Sequence, residues 1–266
     1  MRFAIDIGGT HIRVGAASAG FDWQHMHRSR WSDRIRPEEV LDLVAGLIDE
    51  WKTGRPRSIG VSIAAVVDGD GLLSGSENLG WAGVNLRHEI EQRFGCPAVI
   101  ETDVNCGALY ELRAGEAQGA NSALYVAIGT GVGHAFILNG QLWVGARRGA
   151  NALGHLVINP DGKPCYCGHL GCLCTVASGR AQSDGKAGAE ALEALAQALG
   201  AAVTLIEPQR IILAGGALNQ PWFDLQALID LLPAYSFPAA LQPHLIRTQA
   251  PDPNLCGALL LTQEKT

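Results

Sequence analysis

The chain has 266 residues, 47% of them hydrophobic and 17% charged, with a formal net charge of −6. That length and balance suit a folded globular protein with one large core or two modest ones, not a disordered chain. The acidic total argues against a nucleic-acid partner, and the basic stretch RPR at 55–57 is too short to form a footprint.

The opening MRFAIDIGG enters a strand at once. It lacks the apolar segment and small-residue cleavage site of a secretory signal, so a cytoplasmic protein is expected. No uninterrupted apolar run reaches the ~18 residues of a membrane helix, so no membrane partner is expected either. Phe3–Ile7 and Ile12–Ala17 read as two strands around a glycine turn. Between Pro37 and Trp51 the apolar residues recur with helical periodicity behind a proline start. Ile59–Val67 reads as a strand, DGDG at 68–71 as a turn, Val84–Phe94 as a helix, Ala98–Glu101 as a strand and Asn105–Gln118 as a helix. The same style then repeats. Ala123–Ile128 and Ala135–Leu138 are strands around the turn GTGVG at 129–133, Ala187–Leu205 is a helix, and Ile211–Ala214 is a strand running into Gly215 and Gly216.

Strands alternating with helices predict an α/β fold, and the repeated strand–glycine turn–strand unit predicts two related lobes joined near 103–120. A cleft between the lobes is the expected ligand site. Glycine turns let backbone N–H groups approach an anion closely. Gly8, Gly9 and Thr10 of DIGGT and Gly129, Thr130, Gly131 and Gly133 of GTGVG are therefore candidate phosphate contacts. Asp6 is placed to hold a metal ion through water. The strand end at Gly215-Gly216 is a place for a nucleotide's base or sugar. For DIGGT alone, a plain hairpin turn is an equal alternative. No GxxxxGK[ST] signature is present.

Seven cysteines, four of them between 165 and 174, do not form a disulfide framework. Cys165, Cys167 and Cys172 form C-x-C-x4-C with glycines between, a spacing that lets thiolates converge on one ion. A closed four-ligand zinc shell is structural rather than catalytic. Cys174 and the nearby His169 are rival completions of the shell.

The combination AIDIGGT, AIGTGVG, ALGH, CYCGHLGC and LAGGAL resembles the ROK family (repressor, open reading frame, kinase) from residue 3 to about 260. The resemblance implies an actin-like (ribonuclease H-like) ATPase fold with two lobes and a central cleft. The lobes are expected at 1–105, with a C-terminal helix at 254–266 packed on it, and at 106–253. The resemblance further implies an ATP- and Mg²⁺-dependent sugar kinase, commonly a homodimer. Asp103 in ETDVN falls at the family's catalytic aspartate, where a carboxylate accepts the sugar hydroxyl's proton. A helix cap is the rival role for Asp103. His155 falls at the family's fourth zinc ligand. Family repressors carry a DNA-binding segment before the first strand; with five residues before Asp6, a repressor role is not expected.

The chain departs from the family pattern at Thr102, Ala152 and Cys174, which replace an asparagine and two glutamates. A polyhydroxyl ligand is held by such groups, and each lost buried hydrogen bond costs ~1 kcal/mol or more. Asn78 and His155 remain as expected sugar contacts, with Asp103. His134 follows GTGVG where glycine is usual, and an outward-facing strand residue is the preferred reading of it. His11 stands where lysine is common. The segment between 180 and 211 is short, which removes cover from the adenine. The resulting expectation is an ATP-dependent kinase of a hexose or N-acetylhexosamine with a structural zinc. The alternatives are the same mechanism on a non-standard acceptor, or a binding protein that has lost turnover.

Overall fold

The computed structural model describes residues 1–31, 35–75, 79–181, 188–237 and 242–263. Among these, two compact units are distinguished: residues 1–110, 146–149 and 250–266, and residues 111–145 with 150–249. The division expected at 105/106 thus falls five residues later, inside a continuous helix, and the short segment 146–149 returns to the first unit.

The first unit contains strands β1 (Arg2–Ile7), β2 (His11–Ala17) and β3 (Trp23–Arg30), then helix α1 (Pro37–Trp51). Strand β4 (Ser58–Ile63), the short β5 (Val66–Val67) and β6 (Leu73–Gly75), helix α2 (Leu86–Phe94), β7 (Ala98–Thr102) and α3 (Asp103–Ala114) follow. Its sheet has the order β3-β2-β1-β4-β7. The β1–β2 and β2–β3 pairs are antiparallel, and the β1–β4 and β4–β7 pairs are parallel. The second unit is built from β8 (Ser122–Ile128), β9 (Val132–Leu138), β10 (Gln141–Trp143), the short α4 (Cys174–Ala177), α5 (Gly188–Ile206), β11 (Arg210–Ala214), α6 (Leu225–Leu231) and β12 (His244–Arg247). Its sheet order, β10-β9-β8-β11-β12, repeats that of the first, antiparallel and parallel pairs included. The expected repeat is therefore one of whole sheets, not of two hairpins alone.

Alternation along β1 sends side chains to two differently covered faces. Phe3, Ile5 and Ile7 join Val14, Val40, Val44, Val61 and Ile63 in one core. Ala4 faces the opposite way, into a cluster with Cys106 and Leu109 of α3 and Leu255, Ala258 and Leu259 of α7 (Pro253–Leu261). This second face is tight: a Cβ on Gly60 of β4 would lie 1.8 Å from the Ala258 carbonyl oxygen, so only glycine lets α7 seat there. Helices on both faces account for strands that read as nearly unbroken apolar runs.

In the second unit, Leu124, Val126, Ile211 and Leu213 pack against Ala191, Leu195, Leu199 and Val203 of α5. By length and composition α5 could cross a membrane. Ten of its thirteen positions from Ala191 to Val203 are buried, most of them in this core, which accounts for its apolar sequence.

Candidate active site and metal centre

Asp6 lies on the same face of β1 as Ala4, one residue before the strand ends. Register places Arg13 of β2 on one side of it and Ser62 of β4 on the other. Beyond them stand Arg28 of β3 and Glu101 of β7. A polar row thus crosses all five strands of the first sheet, near the carboxyl ends of its parallel members, where open α/β sheets bind ligands. The matching row of the second sheet is Gly133, Ala127 and Ala214, which carries no side-chain chemistry.

The row is held by charge. Asp6 is buried; its Oδ1 accepts from Ser62 Oγ at 2.7 Å and its Oδ2 from Arg13 at 2.7 Å. Arg13 also pairs through Nε with buried Asp252, 3.0 Å away, and Arg28 pairs with the other Asp252 oxygen. Burial raises the Asp6 carboxyl above its usual range, against the lowering influence of Arg13 and Ser62.

Asp103 is the first residue of α3, at the end of β7. Its Oδ1 accepts the Val104 N–H at 2.8 Å, so the capping role is met in part. Burial and then the nearby Asp6 charge push its carboxyl up to about 7. An oxygen that takes protons near neutral pH is what a general base for a sugar hydroxyl needs.

The β1–β2 turn is tied by Gly8 N–H to the His11 carbonyl at 2.9 Å, and braced by Trp31, whose indole N–H donates to the Gly9 carbonyl at 3.0 Å. The Thr10 hydroxyl meets His11 Nδ1 at 2.7 Å. In the second unit, Gly129 N–H donates to the Gly131 carbonyl at 2.9 Å, and Gly179 N–H donates to the Gly129 carbonyl at 2.7 Å. A Cβ on Gly129 or Gly131 would meet no described atom within 4 Å, so internal packing does not explain these glycines, and the exposed Thr130 lies between them. Gly215 differs: its φ is +101° and a Cβ would lie 2.3 Å from the Ile128 carbonyl oxygen, so packing requires it. Gly216 has open space. Asn78 lies outside the described residues.

His155, Cys165, Cys167 and Cys172 bring four ligand atoms within 4.8 Å of one another. Cys165 Sγ is 3.5 Å from His155 Nδ1, and Cys167 Sγ is 3.5 Å from Cys172 Sγ. Metal–ligand bonds of ~2.0–2.3 Å around a tetrahedral zinc give spacings of this size, so the donor set fits that ion. Cys174 Sγ stands 3.6 Å from Cys165 but 4.0 Å from His155 Nδ1, and His169 Nδ1 is 3.4 Å from Cys167. His155 Nε2 faces the Tyr166 hydroxyl at 2.9 Å, which orients the ring from its far side. Gly171, at φ +63°, lets the loop fold back on itself, with its Cβ position only 1.5 Å from the Asn159 carbonyl oxygen.

His134 overturns its sequence reading. It is buried, not outward-facing; its Nδ1 accepts the Leu153 N–H at 3.0 Å and its own backbone N–H donates to the Asn151 carbonyl at 3.1 Å. Strand β9 is covered on both faces along much of its length, so alternation does not tell inside from outside. Burial drives the imidazole down to about 4, opposed by the Asn151 carbonyl. The folded state therefore prefers the neutral ring. Its stabilising contribution is complete above the unfolded value of about 6.5 and is lost as pH falls toward 4, about 3 kcal/mol at most. Urea unfolding of wild type and His134→Asn, whose amide oxygen replaces Nδ1 without titrating, should show the variant gaining on wild type as pH drops from 7 to 5.

Sequence reasoning missed Arg13, Ser62, Glu101 and Arg148. Ser62 and Glu101 could have been found by aligning the predicted strands; Arg148 carries no local signal.

The sequence matches the ROK family over residues 2–191. It is 32% identical over 245 residues to a kanosamine kinase of Amycolatopsis mediterranei, covering 80% of this chain and 79% of that one. A xylose repressor of Bacillus subtilis is 30% identical over 151 residues, 54% of this chain, which spans only 39% of the repressor's length. The crystal structure of a ROK hexokinase from Thermus thermophilus is similar at a TM-score of 0.80, with 27% identity and 99% of each chain covered.

Proposed function

Because this chain belongs to the ROK family, with its actin-like ATPase fold, we propose that it transfers the γ-phosphoryl group of ATP to a hydroxyl of a hexose or N-acetylhexosamine. The observation that carries the reading is Asp103, fixed at the start of α3 beside Asp6, with its carboxyl raised to about 7. In the reaction, the sugar hydroxyl oxygen forms a bond to the γ-phosphorus as the bond to the ADP oxygen breaks. Asp103 takes the hydroxyl proton. Gly9 and Thr10 in the β1–β2 turn, and Thr130, Gly131 and Gly133 at the β8–β9 turn, are the candidate donors to phosphate oxygens, while Gly8 and Gly129 shape those turns through their own backbone bonds. Gly216 leaves room for the nucleoside. Asp6 would hold Mg²⁺ through water, and that ion neutralises phosphate charge when bound. His155, Cys165, Cys167 and Cys172 would hold zinc in a closed shell, which leaves no position for substrate and makes the ion structural. His155 and Asn78 are the sugar contacts in this reading, with His155 Nε2 exchanging the Tyr166 hydroxyl for a sugar hydroxyl. A cytoplasmic homodimer that binds neither nucleic acid nor membrane completes it, carried by the family and the composition alone.

A second reading, a ROK protein that binds a sugar without turnover, is favoured by the pocket substitutions. Thr102 commits its hydroxyl to the Ala65 carbonyl at 2.9 Å, and the Ala152 side chain offers no polar group. ADP release coupled to an indicator reaction, with glucose, kanosamine and N-acetylmannosamine as acceptors, separates the two. Sugar-dependent release with at least one acceptor is expected; ATP binding without release from any of them would reject the hexose and N-acetylhexosamine kinase reading.

A further inference from the structure

Residues 146–149 are followed and preceded in sequence by the second unit, yet they belong to the first. Arg148 is the residue that ties them there. Its φ is +57°, in the left-handed region that disfavours residues with side chains. Its guanidinium reaches two partners: Nε donates to the Val67 carbonyl at 3.1 Å, and a terminal nitrogen donates to Glu101 Oε2. Glu101 is buried, and its other oxygen is equally engaged. Oε1 accepts the Thr102 N–H at 2.8 Å and the Asn105 side-chain amide at 3.0 Å.

These bonds enclose Asp103. Glu101 grips the residue before it and the residue two after it, while Thr102 is fixed again through its hydroxyl to Ala65. With Arg148 on one oxygen and the turn on the other, the Glu101 carboxylate is committed to holding the passage from β7 into α3. A backbone conformation unfavourable to arginine is sustained at functional sites when the surrounding contacts determine it. The paired charge also keeps a buried carboxylate from standing alone.

We propose that Arg148 is a positioning residue for Asp103, acting through Glu101 to fix the β7–α3 turn on which the base is mounted. The inference rests on the reading of Asp103 as the base. It assigns the 146–149 segment a part in the chemistry of the first unit, though its sequence neighbours belong to the second.

The test is Arg148→Gly, which removes the guanidinium while relieving the left-handed backbone. Two readouts are taken on the full chain. Hydrogen exchange should show the amides of 102–106 exchanging at least tenfold faster than in wild type, with the rest of β7 protected. With whichever of glucose, kanosamine and N-acetylmannosamine wild type phosphorylates, kcat should fall 10- to 100-fold while the KM for ATP and for sugar changes less than threefold. Guanidinium ion at tens of millimolar should enter the vacated space and restore both readouts, with no gain for wild type. Unchanged exchange at 102–106, or a kcat within twofold of wild type, overturns the proposal. If glycine costs the fold, Arg148→Lys is read in its place; it retains the charge on Glu101 but loses the fork to Val67. A partial rise in exchange at 102–106 supports the proposal, and an unaltered turn overturns it. Failure of the kinase reading itself shows separately, as wild type without turnover or Asp103→Asn with undiminished turnover, while the exchange readout still decides the role of Arg148.

Discussion

Replacement of Asp103 by asparagine is expected to lower kcat by about 10²- to 10⁴-fold, the usual worth of a positioned general base. Asparagine keeps the shape and the acceptor for the Val104 N–H, so the start of α3 is preserved. What is lost is the oxygen proposed to take the proton. The pH dependence gives an independent check. In the free enzyme the carboxyl titrates near 7, so wild-type log(kcat/KM) should fall with decreasing pH below that value, and Asp103→Asn should lack this limb. The stability effect has the opposite sign to the activity effect. A carboxyl whose folded pKa lies above its unfolded value near 4 contributes stability that is complete below pH 4 and lost as pH rises through 7. Asp103→Asn removes that dependence, and denaturant midpoints measured at pH 8 should be higher in the variant than in wild type. A variant that is both fully active and less stable would remove Asp103 from the mechanism.

The second large effect is expected at the proposed zinc centre. Cys172 is fully buried, touches Cys167, and donates toward the His155 carbonyl, so its loss disturbs the loop at its middle. Cys172→Ser should abolish stoichiometric zinc and cost roughly 3–5 kcal/mol, in the range where metal loss is a recognised cause. At 2–4 °C per kcal/mol for units of this size, the thermal midpoint should drop by about 10 °C. Cys174→Ser should retain the ion and shift the midpoint little. Mass-spectrometric metal analysis of the two purified variants settles the ligand set; zinc retained by Cys172→Ser and lost from Cys174→Ser would require redrawing the shell.

Much of this architecture could be read from the residues. Glycines at 8–9 and 129–131, each pair flanked by largely apolar strands, mark both hairpins directly, and the cysteine spacing restricts its own chemistry. Short elements and an edge strand carry no such mark. Strand β3 reads WQHMHRSR and forms the sheet edge, where one side need not be buried. Strand β12 has only four residues, HLIR, and α6 opens on Leu225 shortly after the loop residues Gln220-Pro221. The site divides along the same line. Asp6, Asp103 and the zinc ligands sit in local motifs. Arg13, Asp252 and Arg28 form a network across 239 positions of sequence whose partners are set by strand register and helix docking, and no local pattern encodes those. His134 was misread for a related reason: period-two alternation identifies the inside of a strand only where the other side meets water.

Helix α7 carries a consequence for the order of biosynthesis. A ribosome completes the second unit, residues 111–145 and 150–249, before it makes Asp252, with which Arg13 and Arg28 pair, or Ala258, whose carbonyl lies against Gly60. Domains generally fold as units during synthesis. Here the first unit to be translated is the last that can close. Until α7 emerges, the face of the first sheet bearing Ala4 has α3 against it but lacks Leu255, Ala258 and Leu259. The polar row at Asp6 is thus finished only once translation has passed residue 252, so a nascent chain arrested before that point would hold the complete cysteine–histidine loop while Arg13 and Arg28 still lacked their shared carboxylate.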